Sequence, residues 1–213
     1  MKRFFISAVV LFFSLAAVAN GQDGFGVKSV KFTQNGAFAS VSANTNPQAD
    51  FNVNVSRGSS TISPASTFLN FDFITVADDN VTETVTIIFG EIPNSAFTGD
   101  QTQNMVLDLD TSTLDPSVTS SETCTIDLNV LSVDCGPVTQ GVIHLEFRGN
   151  GREVSQILNH VEKDIFGPIT TIIHSKSDNA SANVQGSIFG APVSSQLALV
   201  GVNHNSSIEV TRQ

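Results

Sequence analysis

The chain has 213 residues, with 10 Lys plus Arg against 20 Asp plus Glu, two Cys, sixteen Phe and neither Tyr nor Trp. A formal charge of −10 leaves no basic stripe to neutralise phosphates, which argues against nucleic acids and anionic membrane surfaces as partners. A hydrophobic fraction of 40% is too high for a disordered chain and, outside one stretch, too low for a multispan membrane protein.

Lys2 and Arg3 precede an apolar run from Phe4 to Ala19 that ends in Ala17-Val18-Ala19, the three regions of a secretory signal. Sixteen apolar residues fall short of the roughly twenty that span a bilayer, so residues 1–19 read as a cleaved signal peptide. The expected product is one domain, residues 20–213, that is secreted to an extracellular or periplasmic space without membrane insertion. Export also decides the reading of Cys124 and Cys135. In an oxidising compartment an isolated pair most often forms one disulfide, and neither a CxxC spacing nor a nearby His points to a metal or redox site.

From Val27 onward the hydrophobic pattern is mostly period two, broken by frequent turn residues. Val30 and Phe32 lead to Asn35-Gly36, a type I′ hairpin signal, after which Phe38 and Val41 resume. Phe51, Val53 and Val55 alternate with Asn and Ser, and Leu69, Phe71 and Phe73 with Asn70 and Asp72. A turn at 77–80 leads into Val81 to Phe89. Met105 to Leu109 follows, then a polar loop over 114–122. Cys124 to Val130 returns through Val133 to Cys135 as a pinned hairpin. Residues 142–147, 169–174, 182–189, 197–202 and 208–210 complete about eleven strands. Val154, Ile157, Leu158, Val161 and Ile165 fall instead at helical spacing, between a capping-box-like Asn150/Glu153 and the stop Gly167-Pro168. That spacing predicts one short helix over 151–164. The expected class is all-β: an antiparallel two-sheet β-sandwich, immunoglobulin-like or jelly-roll.

Candidate chemistry is sparse. Gly186-Ser187-Ile188-Phe189-Gly190 does not hold its Ser as a nucleophile elbow does. His144 and Glu146 share a strand face and could ligate a metal with His174 or His204 as a third ligand. Calcium is the better cofactor candidate, because it takes oxygen ligands. Asp108, Asp110 and Asp115 resemble the opening of a calcium loop, and Asp78 and Asp79 form an acidic turn. The first lacks the usual Gly and closing Glu, and Leu107 and Leu109 explain Asp108 and Asp110 as the wet face of a strand. The missing Trp and Tyr lower the expectation of a stacked-sugar platform. The sequons at Asn54, Asn80, Asn179 and Asn205 occur about as often as this composition produces by chance.

The expectation is therefore a secreted, non-catalytic binding, adhesive or structural surface module with a protein or cell-surface partner. The alternative is a secreted glycan- or ester-directed hydrolase whose site forms only in three dimensions.

Overall fold

The computed structural model describes residues 27–46, 49–79, 81–165 and 167–212; the expected signal segment 1–19 and the sequon Asn80 lie outside them. Among the described residues the strands are β1 (Val27–Asn46), β2 (Ala49–Ser60), β3 (Ser63–Val76), β4 (Thr82–Ile92), β5 (Phe97–Thr98), β6 (Met105–Asp110), β7 (Thr119–Asp127), β8 (Ser132–Pro137), β9 (Val142–Lys163), β10 (Ile169–Ile188) and β11 (Ala191–Arg212). All pairings are antiparallel, in the order β5-β6-β9-β10-β11-β1-β2-β3-β4-β7-β8. No helix of the described residues is long and apolar enough to cross a membrane.

The expected all-β antiparallel class is present, with three differences. First, the ladder is continuous: the walls around the core belong to one curled, half-barrel sheet rather than to the two separate sheets of a sandwich. Period-two patterning reports which side of a strand is buried, not whether two walls are joined. Second, residues 151–163 are strand, not helix. The ladder with β10, from Glu153 opposite Ala180 to Lys163 opposite Thr170, outweighs the local spacing. Val and Ile carry stiff χ1 angles that suit a pleated surface, so the same residues serve either reading until a partner strand is present. Nor does β1 turn at Asn35-Gly36. It runs straight through, because Asn35 is bonded to His204, and a side chain at 36 would meet the Asn203 amide oxygen.

The core fills the concave side of the curl. Phe51, Val53 and Val55 of β2, Leu69, Phe71 and Phe73 of β3, and Ile88 of β4 line one wall. Met105, Leu107 and Leu109 of β6 with Ile143, Leu145 and Phe147 of β9 line the other. Between them the concave residues of β10, β11 and β1 are mostly Ala and Val: Ala37, Ala39, Val41, Ala180, Ala182, Val184, Ala198, Val200 and Val202. Phe189, at the β10–β11 turn, meets Phe71 and Phe73 edge-on or tilted at 6.4 and 6.3 Å. Arg57 of β2 reaches across to donate to the Phe97 and Gly99 carbonyls at 3.0 and 3.3 Å, which ties the β5 edge to the opposite wall.

Threonine hydroxyls draw the far sides of the sheet together at one end. Thr86 and Thr123 share a hydrogen bond at 3.1 Å, and Thr123 contacts Thr139 at the same distance. Buried Thr111, just past β6, donates to the Thr139 carbonyl at 2.9 Å and accepts from the Gly141 amide at 3.0 Å. This chain runs from β4 to β6 without a strand ladder between β7 and β6. Thr111→Val keeps the shape and removes the oxygen, leaving the half-buried Gly141 amide and the Thr139 carbonyl without that partner. The expected loss is about 1–3 kcal/mol in denaturant unfolding with an unchanged m-value; a loss under about 0.5 kcal/mol would show that the seam is not structural.

Candidate functional site

Four strands are longer than the core requires. Past Gly149 on β9, and over the matching parts of β10, β11 and β1, the strands continue as a four-stranded ribbon. From Glu153 to Ile165 every side chain is exposed. The registers fix which residues share the ribbon's concave face, the face that continues from the core: Val161, Ile172, Ile208 and Lys31 form one row across it. The next row is Asn159, His174, Ser206 and Thr33, followed by Ile157, Lys176, His204 and Asn35, then Ser155, Asp178, Val202 and Ala37.

The two middle rows border an open depression of about 410 Å³. His174 Nδ1 lies 2.7 Å from Asn159 Oδ1, and His204 Nδ1 lies 2.7 Å from Asn35 Oδ1. An amide oxygen can only accept, so both rings donate from Nδ1, which leaves Nε2 as an acceptor in the neutral ring. Lys176 Nζ bonds Asp178 Oδ2 at 2.6 Å. That bond, followed by one from the Ser155 hydroxyl, holds the Asp178 carboxyl below its ordinary value, and the same contact raises Lys176. Asp178 is only 6% exposed, and its other oxygen, Oδ1, has no hydrogen-bond partner. A buried carboxylate oxygen without a donor costs free energy, which the Lys176 ammonium on the other oxygen partly offsets.

The residues singled out from sequence are arranged differently. His144 and Glu146 do share a face, but it is the convex one, and His174 and His204 are on the concave side, so the four do not meet. His144 contacts Asp108 through Nδ1 at 3.5 Å and Glu146 through Nε2 at 3.7 Å. The two carboxylates thus approach opposite ring nitrogens and do not converge on one point. Glu146 is held low chiefly by its hydrogen bond from Arg148 at 2.6 Å.

Asp110 accepts from the Ser112 amide at 2.9 Å, and Asp115 from the Ser117 amide and hydroxyl at 2.9 and 2.7 Å. Asp79 accepts from the Val81 and Thr82 amides at 2.8 and 2.9 Å and from the Thr82 hydroxyl at 2.8 Å; Asp78 is its neighbour in the turn. These bonds lower all three carboxyls: backbone donors lead for Asp79, and the Ser112 and Ser117 hydroxyls lead for Asp110 and Asp115. Among the described residues the one group of three potential metal ligands within mutual reach is Glu122, Cys124 and Cys135, and its two sulfurs are bonded to each other.

Sequence reasoning missed Lys176, Asp178, Asn35 and Asn159. The available signal was the polar alternation His174, Lys176, Asp178 along β10. Only register shows that it meets His204 on β11.

The Cys124–Cys135 disulfide joins directly opposed residues of β7 and β8. All six β8 residues are exposed, so the bridge, worth about 3 kcal/mol by loop closure if fully coupled, anchors a strand that buries little. Reduction should speed hydrogen exchange over Ser132–Pro137 and leave β2 and β3 protected; simultaneous loss of protection in β3 would show that β8 folds as one unit with the core.

Because Asp79, Asp110 and Asp115 accept from amides and hydroxyls of their own turns and no third ligand converges on them among the described residues, calcium and chelator should give the same melting midpoint at neutral pH. A calcium-dependent rise of several degrees would reveal a cation held elsewhere. Acid has the opposite consequence. These lowered carboxyls stabilise the fold above the ordinary carboxylate range, and that contribution fades as pH falls through their depressed values.

No family model matches the chain, and neither a curated protein nor a solved structure matches it.

Proposed function

We propose that the chain is an exported, non-catalytic binding module whose contact surface is the concave face of the ribbon, and that its ligand is neutral and rich in hydroxyls, as a glycan is. The observation that carries this reading is the open depression of the concave face, edged by the polar side chains of Asn35, Asn159, His174, Lys176 and His204 with Ile157 beside them. A hydroxyl group can donate to Nε2 of a neutral imidazole while accepting from Lys176. Ile157 offers an apolar surface for a ring face in place of the absent Trp and Tyr.

A binding role fits the titration directions as well. Among the described residues, every carboxyl with a resolved shift is lowered, hence anionic at neutral pH and unsuited to donate a proton as a general acid. Export is supported by the signal-like start and by the disulfide, which persists in oxidising compartments. Adhesive or structural surface roles would use the same projecting ribbon.

The test is a melt of the disulfide-bonded protein against a panel of soluble glycans. A ligand of the folded state at a hundredfold excess over Kd adds about 2.7 kcal/mol, several degrees in midpoint. His204→Ala, at an exposed position, should leave the unliganded melt unchanged and weaken the responding glycan by about tenfold or more, as loss of a hydrogen-bond partner does. A panel without any response, or a response that His204→Ala leaves intact, would sink the proposal.

A further inference from the structure

The ribbon has an unpaired edge. On the side away from β10, β6 covers β9 from Val142 to Phe147, and the Gly149 amide donates to the Thr102 carbonyl at 3.1 Å. Beyond that point no described residue pairs with this side of β9. From Glu153 to Lys163 the edge is eleven residues long, about 37 Å at strand rise.

Open edges are usually blunted by shortness, Lys, Pro or bulges. The other edges here are: β5 has two residues, β8 has six and ends in Pro137, and the uncovered start of β1 carries Lys28 and Lys31. On β9, Val154 to Val161 contains no Asp, Glu, Lys, Arg or Pro, and one His, His160. Its side chains are exposed on both faces, Ile157 at 68% on the concave one and Leu158 at 57% on the convex one. In a chain of net charge −10, this is a place where two copies can approach without repulsion.

The order of residues along the edge selects the register. A two-fold axis perpendicular to the sheet needs one residue opposite its own copy. With Leu158 on the axis, Glu153 of each copy stands opposite Lys163 of the other, and the two leucines pair directly. Ile157 then lies diagonal to Val161 of the second copy, within reach of contact on the concave face. Moving the axis to Asn159 sets Glu162 opposite Gln156 and Lys163 opposite Ser155, without ion pairs; moving it to Ile157 sets Glu153 against Val161. The charges and the apolar side chains are satisfied together with the axis at Leu158.

We propose that β9 is a self-docking edge: two copies of the chain pair antiparallel along Glu153–Lys163, with Leu158 on the two-fold axis, and join their ribbons into one eight-stranded sheet. This pairing stands independently of any ligand. Both concave depressions then open on the same side of the joined sheet.

Sedimentation equilibrium of the disulfide-bonded protein should show a mass that rises with concentration and saturates at twice that of the monomer. Leu158→Arg sets two like charges face to face and should raise the dimer dissociation constant by about tenfold or more. Lys163→Glu and Glu153→Lys should each weaken the dimer, and the double variant should recover most of the affinity, a recovery that mere loss of folding cannot produce. The Thr102 hydroxyl donates to Glu153 at 3.0 Å, so circular dichroism must accompany that arm; Lys163→Glu and Leu158→Arg test the edge without touching that bond. A monomer at every concentration would overturn the proposal. So would a mass that grows without limit, as open pairing of β9 onto β1 produces, or a double variant that fails to recover.

Discussion

A flat sheet of eleven strands has no interior, so everything in this protein depends on the sheet curling far enough for its own walls to meet. The central strands line the inside mainly with Ala and Val, which take little room between the walls. Ala37 and Ala39 on β1, Ala180 and Ala182 on β10, and Ala198 on β11 share this face with Val41, Val184, Val200 and Val202. The bulky residues are kept for the walls, Phe51, Phe71 and Leu69 facing Phe147, Leu107 and Leu145. The outer surface has a matching demand at Gly201, where a side chain would collide with the Phe38 ring and the Asn179 amide. Wide open sheets tend to curl or split, and this one curls.

Curling also divides the long strands into two halves with different tasks. The half inside the curl is buried on one face by the opposite wall. The half beyond it has no opposite wall, so β9, β10, β11 and β1 leave the core as a ribbon wet on both faces. Polar side chains that would be costly inside are tolerated there, which is why His174, Lys176 and His204 stand on the same face as Ala180 and Val200 a few residues away. Asp178 sits at the boundary, buried by the end of the core yet paired with a cation on the ribbon. The proposed binding face and the proposed pairing edge are both consequences of these strands outrunning the core.

The acidic loops show the same economy of local chemistry. Asp79, Asp110, Asp115 and Asp127 each accept from backbone amides two or three residues ahead, the turn-forming use of a short carboxylate. Acidic clusters in sequence can thus record turn chemistry as readily as cation binding, and spacing alone does not separate the two. Leu109 is buried beside exposed Asp108 and Asp110, as the alternation along β6 implied.

Much of this was legible in the chain. The class followed from period two, the cysteine pairing from there being only two, and the core positions of β2, β3 and β6 from Phe and Leu alternating with Asn and Asp. Those signals are local, because strand patterning, turn propensity and a single possible disulfide need no knowledge of distant residues. Whether the walls form one sheet or two, whether Val154 to Ile165 is strand or helix, and whether His204 meets His174 or His144 depended on partners far away in sequence. Register and curvature are properties of pairs of strands, and a slip of one residue moves every side chain to the other face. For that reason the strands could be read from the sequence, while the face they present could be read only from the fold.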